Sequence, residues 1–362
     1  MMQIRGIGLA SPGQPIDQTE LLDVALRYNA DTEADRAKLT RIYRRSKVLK
    51  RHSVLACPAD TGRAPIDELL NFYTPAHPQG PTTHARMQRY ETHATGLSVE
   101  ACHAALRDSA TPPEAIAQLI TVSCTGLVAP GQDAGLIQSL GLRPDVGRTH
   151  IGFMGCHAAI NAMRVADGLI HADPGERVLV CCTELCSLHF QYGTDPQDAV
   201  ANALFADGSA ALVAGRRDAS EPGPCARSFH AEHLPGTRDM MSWRITDHGF
   251  RMRLDPQVPD TIQRSLAPSL SAWLSKHDLD PRDIEAWAVH PGGPRIIDAV
   301  QAAMGLKPEA LQVSRDILRD FGNMSSPTVL FIMSAMMRDR LPKPWIALGF
   351  GPGLAIEASL MT

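Results

Sequence analysis

Three residues stand in surroundings suited to acyl chemistry. Cys156 lies in "IGFMGCHAAINAMRVADGLI" (151–170), between a glycine and a histidine, where an apolar run turns helical. A free cysteine in such a place is either a small buried hydrophobe or a nucleophile whose thiolate a helix N-terminus stabilises. A thiol nucleophile also needs a base or an electrostatic partner, and a donor for the oxyanion that develops on attack. Two later stretches offer both. "WAVHPGGPRIIDAV" puts His290 in a Pro-Gly-Gly turn after a strand-like run, and "FGNMSSPTVLFIM" puts Asn323 just before a helical segment. An imidazolium at His290 would lower the thiol pKa. The three residues are far apart in the chain, so only the fold can bring them together.

The elements that must position them alternate in type. "RGIGLA", "AIAQLITVSCT" and "RVLVCCTEL" read as strands, while "QTELLDVALRYN" and "SVEACHAALRDSA" read as helices. The run "ALFADGSAALVAG" reads as paired strands broken at Ala-Asp-Gly, and residues 75–90 read as an exposed loop. A polar segment at 216–227 opens the second half. A hairpin-like "MSWRITDHGFRMRL" follows, then two helices flanking "EAWAVH", and final strands in "WIALGFGPGLAIEASL". Mixed βαβ order in both halves predicts a layered α/β fold with helices packed on sheets.

Composition narrows the function. With 362 residues and 44% hydrophobic content the chain can bury a large core. A net charge of −4 argues against a general nucleic-acid binder. No window approaches a membrane-spanning length. The eight cysteines lack the spacing of a disulfide scaffold, so a reducing cytoplasm is expected. In "CCTELCSLH", Cys182, Cys186 and His189 could serve as metal ligands, but no second Cys/His cluster completes a tetrahedral set, and no metal is expected.

Taken together and in order, "GFMGCHAAINAMRVA", "ALFADGSAALVAG", "WAVHPGGPRIIDAV", "GNMSSPTVLFIM" and "GFGPGL" resemble the type III polyketide synthases, the chalcone-synthase-like enzymes. "ELCSLHFQ" is closer to their bacterial branch than to the plant branch. The resemblance implies a thiolase-like αβαβα fold with two similar halves, 1–215 carrying Cys156 and 216–362 carrying His290 and Asn323. It implies a homodimer that uses an acyl-CoA starter and malonyl-CoA, with no metal or organic cofactor. The product would be a cyclised resorcinol, phloroglucinol or pyrone.

The same resemblance assigns further positions. Cys156 matches the nucleophile that takes the starter acyl group, and His290 and Asn323 match the pair that holds thioester carbonyl oxygens. Phe205 matches an aromatic gate between the coenzyme A tunnel and the reaction cavity. Cys124, Cys186, His189 and Ser325 match the cavity lining. Lys38, Arg41 and Arg45 match phosphate-binding positions, and Arg295 matches another at the tunnel mouth. If "RAKLTRIYRRSKVLKRH" is helical, the first three share one face; the plainer reading of that run is a solvated charged surface. Trp243 stands where plant enzymes carry glycine, Met252 where they carry phenylalanine, and Ala129 where they present a methionine to the partner subunit's cavity. Small or flexible groups at 129 and 252 would suit an aliphatic acyl chain.

Rival readings are a ketoacyl-carrier-protein synthase III, a thiolase, a papain-like hydrolase and a non-catalytic acyl-CoA-binding protein. "HPGGP" and "GFGPGL" disfavour the first, and no cysteine beyond Cys225 serves the second. A Trp-flanked cysteine signature is missing for the third. The intact Cys156, His290 and Asn323 speak against the fourth.

Overall fold

Strands that are apolar without interruption can be buried on both faces only where helices cover both sides of their sheet. The computed structural model, which describes residues 1–58 and 61–362, shows this arrangement. One sheet has five strands in the order Met2–Ala10, Asp207–Arg216, Arg177–Leu185, Ile116–Ser123, Gly147–Gly152. The last three are parallel, and Asp207–Arg216 is antiparallel to both its neighbours. The other sheet has four strands in the order Ala286–Val289, Trp345–Gly351, Ala355–Met361, Ala226–His233, the first pair parallel and the rest antiparallel.

Side chains divide between the faces at the period of two that a strand imposes. Val178, Val180 and Cys182 enter the core between the sheets, whereas Leu179, Cys181 and Leu185 enter the outer core. Trp345 and Ala347 separate from Ile346, Leu348 and Phe350 in the same way. Helices Ala158–Ala172 and Thr328–Arg338 form the middle layer. The second of these buries Val329, Leu330, Phe331, Ile332, Met333 and Met336, apolar on every side, as a helix between two sheets must be. Each such side chain contributes about 1.5–3 kcal/mol when buried. Thr83–Asp108 covers the outer face of the first sheet, and Val258–Leu274 with Pro294–Met304 covers the second. The layers therefore run αβαβα.

Two local readings of the sequence are corrected. Residues 83–90 are not loop but the start of the 26-residue helix Thr83–Asp108, capped by Thr82, whose side chain accepts from the Ala85 N–H. The charged character of this stretch misleads because Arg86 is wholly buried and donates to the carbonyls of Pro81, Leu188 and Phe190. The stretch "ALFADGSAALVAG" is likewise not a strand pair. Its start ends the helix Pro196–Leu204, and Asp207 and Gly208 lie inside a strand. The Asp207 carboxylate accepts from the N–H groups of Val54 and Ser187 and from the Ser187 hydroxyl, so it makes long-range bonds instead of a turn. Gly208 is needed for close approach, because a Cβ there would lie 2.4 Å from Met324 Sδ.

Candidate active site

Cys156 sits in a 3-10 turn, Gly155–His157, that leads directly into the helix Ala158–Ala172. The approach to it is conformationally demanding. Phe153 has φ 56° and Gly155 has φ 73°. A Cβ on Gly155 would also lie 2.6 Å from Pro352 Cδ, so two independent constraints call for glycine before the thiol. Past it, His157 Nδ1 lies 2.7 Å from Asn161 Oδ1, and Asn161 Nδ2 donates to Glu357 at 2.9 Å. That chain ties the cysteine turn to the second sheet.

His290 follows the strand Ala286–Val289, with its N–H donating to the Leu348 carbonyl at 2.8 Å. Asn323 is held by its backbone on both sides. Its N–H donates to Leu204 O at 2.8 Å, and its carbonyl accepts from Ala206 N–H at 2.9 Å, bridging it to Phe205. Its side-chain Oδ1 accepts from the Ser325 N–H at 2.8 Å. With the oxygen committed, the amide is left as a donor, and Cys156 is what it meets. Cys156, His290, Asn323 and Phe205 line one chamber of about 30 Å³.

Electrostatics correct the sequence expectation of an imidazolium at His290. Both ring nitrogens are buried without a partner among the described residues, and burial holds the ring well below the usual histidine range. Burial likewise pushes the Cys156 thiol up, against hydrogen bonds from Ser325 and Asn323 that favour the thiolate. Burial thus favours the neutral pair, thiol and imidazole. Among the described residues no carboxylate acts on His290 to reverse this.

A second chamber of about 20 Å³ brings Cys124, Cys186, Trp243, Met252 and Ser325 to the same thiol. Its walls are rigid. Trp243 Nε1 donates to the Cys124 carbonyl at 2.7 Å. His189 Nε2 lies 2.7 Å from the Thr125 carbonyl, and its Nδ1 accepts from the Phe250 N–H at 2.9 Å. The ring stacks on Phe250 with centroids 4.3 Å apart and meets Trp243 edge-on. With both nitrogens consumed and its pKa driven down to about 3 by burial, His189 is a neutral wall with no lone pair to spare for a metal. Cys182 points into the core between the sheets.

Both halves of the chain match one family. "Chalcone and stilbene synthases, N-terminal domain" matches residues 2–218, and the corresponding C-terminal domain matches 227–362. The chain is a type III polyketide synthase. It is 31% identical to the alpha-pyrone synthesis polyketide synthase-like Pks18 of Mycobacterium tuberculosis, over 99% of this chain and 90% of that protein. It is 30% identical to the 3,5-dihydroxyphenylacetyl-CoA synthase of Amycolatopsis balhimycina, over 98% and 91%. Among solved structures, PKS-I of the brown alga Ectocarpus siliculosus superposes with a TM-score of 0.91 at 31% identity, covering 99% of this chain and 97% of that one. The 1,3,6,8-tetrahydroxynaphthalene synthase of Streptomyces coelicolor gives 0.88 at 28%, covering 100% and 99%. The polyketide synthase fold and acyltransferase class follow.

In this synthase Lys38, Arg41 and Arg45 lie on the helix Glu33–Arg45, which packs on Pro196–Leu204, the helix whose other side lines the chamber holding Cys156. Arg41 and Arg45 are exposed, and Lys38 Nζ donates to the Thr194 carbonyl at 3.3 Å. Arg295 is exposed in the first turn of Pro294–Met304, 3.9 Å from Asp260 and next to Ile296, a chamber residue. Ala129 is exposed and lines none of the three chambers that reach Phe205. Sequence reading missed Glu184. It is fully buried, its pKa is raised by burial, and it accepts from the Cys124 N–H, Thr125 Oγ1 and Ser326 Oγ. A lone acid inside the apolar run "RVLVCCTEL" was the available signal.

Proposed function

We propose that this polyketide synthase loads an acyl group from a coenzyme A thioester onto Cys156, extends it with malonyl-CoA, and releases a cyclised resorcinol, phloroglucinol or pyrone. What carries this reading is the fixed amide of Asn323: its Oδ1 is occupied by the Ser325 N–H, so a donor is left facing the Cys156 chamber. In loading, the Cys156 sulfur attacks the thioester carbonyl, its proton passes to the neutral imidazole of His290, and coenzyme A leaves as the thiol. In extension, malonyl thioester loses CO2, and the electron pair of the broken C–C bond forms an enolate. The His290 N–H and the Asn323 amide hold that enolate's oxygen. The enolate carbon then attacks the acyl-Cys156 thioester, forming the new C–C bond and freeing the cysteine.

Phe205, at the boundary of the chambers, acts as gate, while Lys38, Arg41, Arg45 and Arg295 meet the coenzyme A phosphates. The reaction needs no metal or organic cofactor. The active form is a homodimer in a reducing cytoplasm, in keeping with eight free, buried cysteines. Among the described residues no helix is long and apolar enough to cross a membrane. The test is incubation with a starter acyl-CoA alone, followed by peptide mass analysis. An acyl mass on the peptide containing Cys156 is expected, and labelling at Cys124 or Cys186 instead overturns the reading.

A further inference from the structure

From Arg36 to Arg51 the sequence holds eight basic residues and no acidic one, in a chain whose net charge is −4. Lys38, Arg41 and Arg45 are the ones assigned above to coenzyme A phosphates. Arg44 and Lys47 instead line a separate open groove of about 660 Å³. Its walls are the helices Gln18–Asn29, Glu33–Arg45, Pro294–Met304 and Gln312–Phe321. Pro294–Met304 gives Ile296 to the chamber holding Cys156, and Pro294 and Ile297 to the groove, so site and groove adjoin across one helix.

The groove has both charge and apolar surface to spare. Arg44, Lys47, Arg315 and Arg319 line it against one acid, Asp316. Arg315 pairs with Asp298, and Arg319 with Asp316 and Asp320. Arg44 and Lys47 are exposed and have no carboxylate partner among the described residues. Leu49 shares the groove and is 60% exposed. That exposure is built in. The Leu49 N–H donates to the Arg319 carbonyl and its carbonyl accepts from the Gln18 N–H, each at 2.8 Å, so the backbone presenting the side chain is fixed. Leu22 and Ile297 extend the apolar floor.

An apolar strip rimmed by unpaired charge marks a place of contact. A small molecule is held by being enclosed, and this groove is open. A lipid bilayer is flat and does not reach a concave floor. An amphipathic helix with acidic flanks matches both rim and floor. We propose that the groove docks an acidic protein that carries an acyl group as a thioester on a phosphopantetheine arm, and that this arm enters the site as the same arm of coenzyme A does. A partner seated one helix away from the nucleophile is placed to deliver it. The Cys156 sulfur attacks the thioester carbonyl, the bond from that carbonyl to the arm's sulfur breaks, and the proton held by His290 passes to the leaving thiolate. The inference rests on acylation of Cys156.

The test presents butanoyl, hexanoyl and octanoyl groups on coenzyme A and on the phosphopantetheine arm of a bacterial acyl carrier protein, and reads the rate of mass gain at Cys156. The carrier protein should acylate the wild-type enzyme, more slowly as salt rises. The double variant Arg44→Glu/Lys47→Glu should slow the carrier route about tenfold or more and leave the coenzyme A route unchanged. Leu49→Ala should also slow the carrier route, without altering its salt dependence. The inference is overturned by no acylation from the carrier protein, or by a double variant that slows both routes equally or neither. Sedimentation with phosphatidylglycerol vesicles that the double variant loses, without acylation from the carrier protein, assigns the patch to lipid and overturns it too. If coenzyme A thioesters acylate Cys156 and the carrier protein does not, only this inference falls. If neither donor acylates it at any chain length, the proposed function falls with it.

Discussion

Asn323→Ala should separate the two half-tasks of the site. Both backbone bonds of residue 323, to Leu204 and Ala206, survive truncation to alanine, so the strand-like bridge to Phe205 stays in place. What is lost is the amide donor that the Ser325 N–H aims at the chamber. Removing one preorganised oxyanion donor costs about 10²–10³-fold in rate, roughly 2.7–4 kcal/mol. Decarboxylation of malonyl-CoA and condensation should fall together by that factor. Loading should survive, because Cys156 and His290 remain. Cys156→Ala is the complement: it cannot hold a chain, yet it keeps both enolate donors and should still convert malonyl-CoA to acetyl-CoA. His290→Ala should impair loading and decarboxylation alike, since it removes the proton acceptor and a donor. CO2 release and acyl-enzyme mass for the three variants, measured side by side, decide the matter. Retained decarboxylation in Asn323→Ala with its loss in Cys156→Ala would refute the roles given.

Further outcomes follow from other groups. His189 has a pKa of about 3 in the folded protein, so between that value and its ordinary 6.5 the unfolded chain binds the extra proton and stability falls as pH drops; at pH 5.5 the loss is about 1.4 kcal/mol for this one group. His189→Gln should shrink the difference between the urea-unfolding free energies at pH 7.5 and 5.5 by that amount, and an unchanged difference would mean the ring is not held neutral. Arg41→Ala and Arg45→Ala should each raise the Michaelis constant for coenzyme A thioesters about three- to tenfold, with less salt sensitivity and the same products; unchanged constants in both return that helix face to a solvated surface. Gly155→Ala places a Cβ against Pro352 at a positive φ, so melting should show a loss of about 1–3 kcal/mol together with slower acylation of Cys156.

Elements whose pattern is local were legible in the sequence. The strand Arg177–Leu185 has the bounds of the quoted run "RVLVCCTEL", and the helix Gln18–Asn29 those of "QTELLDVALRYN". The thiol's place before a helix could be read from the glycine and the periodicity that follows it. Features set by long-range partners were not legible. Asp207–Gly208 resembles a turn until Ser187, Val54 and Met324 are brought against it. Arg86 resembles a surface residue until three backbone carbonyls surround it. The neutrality of His290 depends on how much protein covers it, and no spacing encodes that.

The clamp around Phe205 also says something about time. Its N–H is bonded to Ala201 O at 3.0 Å, its carbonyl accepts from Arg51 at 2.5 Å, and the residues on either side are pinned to Asn323. The backbone under Phe205 is therefore held by hydrogen bonds on both sides and has no hinge. The ring can yield only by rotating about its own side-chain bonds, a motion faster by orders of magnitude than the microsecond-to-millisecond movement of loops and lids. On the proposal that Phe205 gates the site, passage is a matter of steric fit at each instant, and successive chain extensions need not wait for the protein to open and close.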